Sequence, residues 1–189
     1  MHGVVLCGLA AFYAVTAWVA RHPQVDPLYR DHYIRHATTD WQIRRTDRSI
    51  ADGIDFSQDG VYPREVDHVL GLSWPEPAGR WSEARRWPVV SVLLRAPVSG
   101  QQCLDLRFNA ARWQVGLPVT VRLGDAVATL RPADGGVHDY AIPLTATVPA
   151  AAIDIEPSNP SRPAFQDHTG DLRRLAVMLH WLRLRPGPC

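Results

Sequence analysis

The residues best suited to chemistry in this 189-residue chain are concentrated between positions 71 and 87, which read GLSWPEPAGRWSEARRW. Tryptophans lie there beside acidic and basic side chains: Trp74, Trp81 and Trp87 with Glu76, Arg80 and Glu83. Aromatic faces stack on the C–H groups of sugar rings, and carboxylates and guanidinium groups hydrogen-bond to hydroxyls. We therefore predict a carbohydrate- or partner-binding surface here. Its members are Trp74, Glu76, Arg80 and Trp87.

Position in the motif separates two of these tryptophans. Trp74 is followed by ProGluPro, and the prolines hold the chain extended and present the indole outward, so we predict a functional role. Trp81 stands at the entry to a strand region, and we expect it to pack between two sheets. In the structural interpretation of the same motif, Arg80 pairs with Glu76 or Asp171 as an internal strut.

Motifs of catalysis and metal binding are missing from the sequence. There is no GxSxG elbow, phosphate-binding loop or HExxH helix. Two clusters of titratable residues fall in polar turns, where such side chains are ordinarily solvated: Glu65, Asp67 and His68, and Asp167, His168 and Asp171. One further group shares a helical face at metal spacing but has no fourth ligand: His32, His36 and Asp40. We predict a protein that is not an enzyme and carries no cofactor or metal.

The overall charge argues against a nucleic-acid partner. Twenty basic residues stand against 19 acidic ones, for a formal net charge of +1. This balance lacks the one-signed field that binds a phosphate backbone. Three cysteines give no zinc spacing and cannot all pair. Only Cys103 and Cys189 could bridge, and Cys103 lies within a predicted strand, where a buried free thiol is commoner.

Beyond Gly53 the chain consists of short apolar runs ended by glycine and proline, which predicts strands. Leu104 to Asn109 alternates between apolar and polar residues, as a half-buried strand does. Val119 to Leu123 and Ala126 to Leu130 flank Gly124 and Asp125, the signature of a two-residue hairpin. Further strands are predicted at Val89 to Arg95, Val137 to Leu144, Ala152 to Glu156 and Leu175 to Arg185. Short strands at regular spacing predict a β-sandwich.

The N-terminal run from Gly3 to Ala20 contains no charged residue. As a helix it would be about 27 Å long, close to the thickness of a bilayer core. We predict a membrane anchor at 1–20, a polar stalk at 21–53 and a β-sandwich domain at 54–189. A cleaved signal peptide and a buried core helix are the alternatives for the first segment.

Two stretches carry a resemblance to a known family. They are IDFSQDGVYPREVDHVLGLSWPEPAGRWS, from Ile54 to Ser82, and DLRRLAVMLHWLRLR, from Asp171 to Arg185. Together they resemble the C-terminal β-sandwich accessory domain of bacterial phosphoglycerol transferases and surface-polysaccharide glycosyltransferases. Two departures occur: Ala78 stands where an aromatic residue is usual before GlyArgTrp, and SerArgPro at 161–163 replaces SerPro.

The resemblance implies a non-catalytic, jelly-roll-like module that serves envelope glycan synthesis or modification. Its expected partner is a membrane-embedded glycosyltransferase or polymerase in a hetero-complex, with glycan and the lipid bilayer as further contacts. It also implies a bacterial inner-membrane protein with a periplasmic β-domain, whereas the arginines that follow residue 20 would place the domain in the cytoplasm by the positive-inside rule. The alternative function is a carbohydrate-binding module that acts on the polymer without an enzyme partner.

Overall fold

A computed structural model describes residues 2–21, 43–58, 60–84, 87–166 and 170–189. Its elements in chain order are α1 (His2–Arg21), β1 (Arg44–Thr46), β2 (Ile54–Asp55), β3 (Val61–Pro63), β4 (Val66–Leu70), β5 (Arg80–Glu83), β6 (Val90–Ala110), β7 (Val119–Leu123), β8 (Ala126–Leu130), β9 (Val137–Pro157), α2 (Pro163–Gln166) and β10 (Leu175–Pro186).

Two 21-residue strands, β6 and β9, organise the fold. They pair antiparallel along their length, from Asn109 opposite Val137 to Val90 opposite Ile155, with register shifts between Leu93 and Gly100. Such irregularities bend a strand and let it pass from one layer to the next. The end of β6 near Ala110 pairs with β10, and the end near Val90 pairs with β4.

The bent strands create two layers. One contains β10 between the later half of β6 and the strands β2 and β5. The other contains β4, the early half of β6, the late half of β9, β7 and β8. The core lies between them and includes the inward faces of Leu104, Leu106 and Phe108, each at most 1% exposed. The β-sandwich predicted from the sequence is thus confirmed.

The predicted strands are present, but several of them merge. The stretches around 89–95 and 104–109 belong to β6, and those around 137–144 and 152–156 belong to β9. The predicted hairpin is confirmed, since Leu123 pairs with Ala126 across Gly124 and Asp125. Strands β1 to β5 were not predicted, because segments of two to five residues are too short to display a period.

The predicted membrane anchor lies within α1, whose side chains from Gly8 to Arg21 are all exposed. Over the residues that can be described, none of the helices has the combination of length and apolar character that crossing a membrane requires, so the anchor is not supported. Residues 22–42 of the predicted stalk, with His32, His36 and Asp40, lie outside the described residues. From residue 43 onward the predicted stalk packs with the sandwich, as the parallel pairing of β1 with β3 shows.

A disulfide joins Cys103 to Cys189, with 5.0 Å between their Cα atoms. The expectation that Cys103 is a free thiol was therefore wrong. Antiparallel pairing sets Arg185 opposite Cys103, and the chain then turns back, with the Gly187 N–H donating to the Gln101 carbonyl at 2.8 Å. This return of the C-terminus to β6, which the sequence does not signal, brings the two sulfur atoms together.

Candidate functional site

The motif at 71–87 begins as a tight hairpin that lies against β10. Its turn closes with the Glu76 N–H donating to the Gly79 carbonyl at 2.8 Å and the Gly79 N–H donating back at 3.1 Å. The returning arm is β5, in which Arg80 is paired with Leu179 of β10. Gly79 is required here because an added Cβ would lie 2.2 Å from the Leu179 carbonyl oxygen.

Arg80 points into the protein and is only 2% exposed. Its Nε donates to the Ser73 carbonyl at 2.6 Å, and one Nη donates to the Tyr62 hydroxyl at 3.4 Å. Arg80 was predicted to contribute to the binding surface, but the structure instead places it in the interior. It is an internal strut, as the structural interpretation held, although its partners are neither Glu76 nor Asp171.

Trp81 faces the opposite way. Along β5 the residues Arg80 and Ser82 are buried, while Trp81 and Glu83 are partly exposed. The expectation that Trp81 packs between the sheets was wrong because strand alternation gives the inward position to its neighbour. The indole of Trp81 is consequently available to a ligand.

Trp81 lines a cleft with a second tryptophan, Trp113, which follows β6 in the chain. This Trp81–Trp113 cleft has a volume of about 420 Å³. Its charged lining residues are Glu76, Arg112, Asp171 and Arg173, and its apolar ones include Ala111, Pro163 and Leu175. Of the residues predicted for the binding surface, Glu76 is the one that reaches this cleft.

An ion-pair network fixes the charged side of the cleft. Arg173 donates from Nη2 to Asp171 at 2.7 Å and to Glu76 at 3.4 Å, and its Nε lies 3.1 Å from both Asp171 oxygens. The hydrogen bonds from Arg173 hold the pKa of Asp171 below its ordinary value of 3.8, and the same bonds raise the pKa of Arg173. Asp171 and Arg173 therefore remain ionised at neutral pH and joined to each other.

Trp113 is held in a fixed orientation. Its indole N–H donates to the Leu175 carbonyl at 2.9 Å, and its own carbonyl accepts from the Asn159 side chain at 2.9 Å. Sequence reasoning missed Trp113 because it lies far along the chain from the tryptophan-rich motif. The sequence feature that could have identified Trp113 is its position shortly after the predicted strand at Leu104 to Asn109, because a loop residue there is held by a rigid support.

The other two predicted surface residues lie elsewhere. Trp74 is 66% exposed, in agreement with its predicted outward direction, but it is not among the residues that line the Trp81–Trp113 cleft. Trp87 is partly buried, and its indole N–H donates to the Ser91 hydroxyl at 3.4 Å. Ser91 in turn donates to Asp154 at 2.7 Å within the other layer.

The acidic and histidine clusters form ordinary polar contacts. Asp67 accepts from Arg45 at 3.2 Å, and the ring of His68 lies 2.9 Å from Asp67. Glu65 accepts from the backbone N–H of Ile50 at 3.1 Å. Within the described ranges no group of three or more possible metal ligands is found. Asp167 and His168 of the second cluster lie outside those ranges.

Comparison with known proteins gives one family match and several distant structural similarities. The profile of the family described as Domain of unknown function (DUF7024) matches residues 41–186. No curated protein matches the chain. The solved structures similar to it include variants of CBM29-2, a family 29 carbohydrate-binding module. One variant has a TM-score of 0.40 and 14% identity over 71% of this chain and 84% of its own.

Another CBM29-2 variant, complexed with mannohexaose, has a TM-score of 0.41 and 14% identity over 79% of this chain and 93% of its own. Scores at this level do not establish a common fold or a common function.

Proposed function

The chain belongs to the DUF7024 family, and we propose that it is a non-catalytic module that binds a neutral glycan in the Trp81–Trp113 cleft. The observation that carries this proposal is the pairing of two partly exposed indoles with a fixed network of charged groups in one cleft. Indole faces supply stacking surface for sugar rings, while carboxylate oxygens and guanidinium N–H groups match sugar hydroxyls.

Charge balance in the cleft favours a neutral ligand. Among the described residues that line the cleft, Glu76 and Asp171 oppose Arg112 and Arg173, and Arg173 already pairs with both carboxylates. An anionic sugar would have to compete with these carboxylates for Arg173, whereas a hydroxyl can join the existing network without separating the ion pairs. Pre-formed side chains lower the ordering cost of binding, and such a site needs little rearrangement.

The same network argues against catalysis at this cleft. General acids and bases work best when their pKa lies near the operating pH. Asp171 has a pKa held below 3.8 by Arg173, so it is a poor proton donor or acceptor at neutral pH. We therefore assign its oxygens to hydrogen bonding with a ligand and to the positioning of Arg173.

The test is a glycan array probed with the full chain, followed by calorimetric titration of the sugars that bind. Trp81→Ala and Trp113→Ala should each weaken binding by about tenfold or more, as tryptophan anchors of an interface commonly do. Val127→Ala is the matched control because Val127 is 58% exposed on β8, in the other layer. Binding to no neutral glycan, or normal binding by both tryptophan variants, would contradict the proposal.

A second candidate is the accessory role beside a membrane glycosyltransferase that the sequence resemblance implies. The observation that favours it is α1, whose large side chains Phe12, Tyr13 and Val15 are 62–67% exposed and can contact another surface. A periplasmic location would suit the Cys103–Cys189 disulfide, since disulfides persist in oxidising compartments.

Membrane fractionation tests this second candidate. The full chain should sediment with membranes and co-purify with a glycosyltransferase in mild detergent, while a chain lacking residues 1–21 should do neither. The truncated chain should keep its glycan affinity, because the Trp81–Trp113 cleft contains no residue of α1. A full chain found wholly in the soluble fraction would exclude the accessory role and leave the glycan-binding proposal intact.

A further inference from the structure

A second and larger cleft lies on the other side of the Glu76–Gly79 turn. It has a volume of about 780 Å³, and its lining includes Asp55, Ser57, Ala78, Arg107, His180 and Trp181. We call it the Trp181 cleft. It combines an indole with carboxylate and guanidinium groups, as the Trp81–Trp113 cleft does, and it also contains the hydroxyl of Ser57.

A β-bulge in β10 creates the aromatic wall of this cleft. The register between β10 and β6 shifts between Leu179 and Trp181, so two consecutive residues, His180 and Trp181, are both partly exposed. Regular alternation would have turned one of them into the core. Bulges of this kind re-aim side chains beside binding sites.

The indole of Trp181 is tightly positioned from two sides. Gly53 adopts a φ of +102°, and a Cβ added there would lie 2.2 Å from the Trp181 indole nitrogen. The guanidinium of Arg183 lies 5.1 Å from the centre of the Trp181 ring, within range of a cation–π contact. A ring held in this way presents a fixed surface to the cleft.

Polar groups on the neighbouring strands complete the lining. Arg107 forms a bidentate pair with Asp139, at 2.7 and 3.0 Å, and its side chain remains about half exposed. Asp55 accepts from the backbone and the hydroxyl of Ser57 at 2.9 and 2.7 Å. Each pair leaves further oxygen lone pairs or N–H groups that a hydroxyl of a ligand can use.

The two clefts share one thin wall. Glu76 lines the Trp81–Trp113 cleft, whereas Pro77 and Ala78, the next residues of the same turn, line the Trp181 cleft. The ends of a β-turn lie within about 7 Å of each other, so the wall is about that wide. Nδ1 of His180 donates to the Ala78 carbonyl at 2.5 Å and fastens the turn to β10. The side chain of Ala78 is small, so this turn projects little between the two clefts.

We propose that the two clefts form one continuous platform for an extended, neutral oligosaccharide that crosses the turn over Ala78. The protein then recognises the interior of a glycan chain rather than a single sugar or a chain end. This inference rests on the proposed function and adds the Trp181 cleft as a second binding site. Trp81 and Trp113 contact one segment of the chain, and Trp181 contacts the next.

The experiment compares chain lengths by calorimetric titration of the full-length protein. The probes are disaccharides and hexasaccharides of β-1,4-linked glucose, mannose and N-acetylglucosamine. At least one hexasaccharide should bind about tenfold or more tightly than its disaccharide. Trp181→Ala should remove this advantage without changing the affinity for the disaccharide, while Trp81→Ala should weaken both.

Arg107→Ala provides an independent variant, since the exposed Arg107 side chain can be removed without opening the core, and we expect a several-fold loss for the hexasaccharide alone. It decides the question if Trp181→Ala does not fold. Equal affinity of the wild-type protein for both lengths, or normal hexasaccharide binding by folded Trp181 and Arg107 variants, would overturn the platform. Absence of wild-type binding to every probe would instead count against the proposed function.

Discussion

Replacing Arg80 with methionine should destabilise the protein while leaving its cleft functional. The substitution removes a charge-assisted hydrogen bond to the Ser73 carbonyl at 2.6 Å and a longer one to the Tyr62 hydroxyl at 3.4 Å. Hydrogen bonds to charged groups contribute about 1.5–3 kcal/mol each, and the relief of burying a charge offsets part of that loss. We expect the free energy of unfolding to fall by about 3 kcal/mol.

At about 2–4 °C per kcal/mol for a domain of this size, the melting temperature should drop by about 10 °C. Trp81→Ala is the matched contrast from the adjacent position of β5. Because Trp81 is partly exposed, its truncation should cost less than the 3–5 kcal/mol typical of a buried tryptophan. Stability should therefore fall less in the Trp81 variant, and glycan binding should fall more.

Thermal unfolding followed by circular dichroism gives the stabilities, and titration well below both melting temperatures gives the affinities. The reasoning fails if Arg80→Met melts like the wild-type protein, or if the folded Arg80 variant loses glycan binding while Trp81→Ala retains it. The first result would show that the buried contacts of Arg80 add no net stability, and the second would return Arg80 to the binding surface on which the sequence had placed it.

Three further predictions follow from single contacts. The Cys103–Cys189 disulfide joins residues 86 positions apart in the sequence. Replacing both cysteines with serine should lower the free energy of unfolding, measured by denaturant titration, by about 4–5 kcal/mol. Asp171 has a lowered pKa, so its stabilisation is complete above its unfolded value near 3.8 and is lost as the pH falls through the lower folded value; Asp171→Asn should flatten the fall in stability below about pH 4, measured by denaturant unfolding across pH. Gly79→Ala should reduce both stability and glycan affinity, because the new Cβ meets the Leu179 carbonyl, and a normal melting curve would contradict this.

The sandwich could be predicted because its main strands carry a period. Leu104 to Asn109 alternates strictly, and burial in the structure follows that alternation, with Leu104 fully buried. The continuity of β6 could not be predicted in the same way. The bent stretch between Leu93 and Gly100 contains exposed residues that resemble a turn, and within it Val98 alone is paired with β9, opposite Ala150. Composition indicates an interruption there, whereas the strand continues because regular pairing with β9 resumes at Gly100.

The sequence predicted where the site lies along the chain, but not which side chains of β5 face outward. The sequence located the tryptophan-rich motif around Glu76, yet it assigned the inward position to Trp81 and placed Arg80 on the binding surface. A shift of one residue exchanges the inward and outward faces of a strand. The four residues of β5 are too few for the sequence pattern to show which of them face inward. Pairing with β10, where Met178 lies opposite Trp81, decides which residues of β5 face inward. Burial could not be predicted from hydrophobicity, because an arginine that is hydrogen-bonded in the interior, as Arg80 is to the Ser73 carbonyl, is stable where an isolated one would not be.

The Cys103–Cys189 disulfide bears on the cellular compartment in which the domain functions. Its expected contribution of about 4–5 kcal/mol is about a quarter or more of the roughly 5–15 kcal/mol that stabilises a typical domain. A chain kept reduced in the cytoplasm would lose that share, and β10, which lines both clefts through Leu175 and Trp181, would lose its C-terminal tether to β6. The arginine count of residues 21–48 bears on insertion, whereas the disulfide bears on the stability of the site itself. On this argument we propose that the domain works in an oxidising compartment such as the periplasm, where the tether of β10 to β6 remains intact.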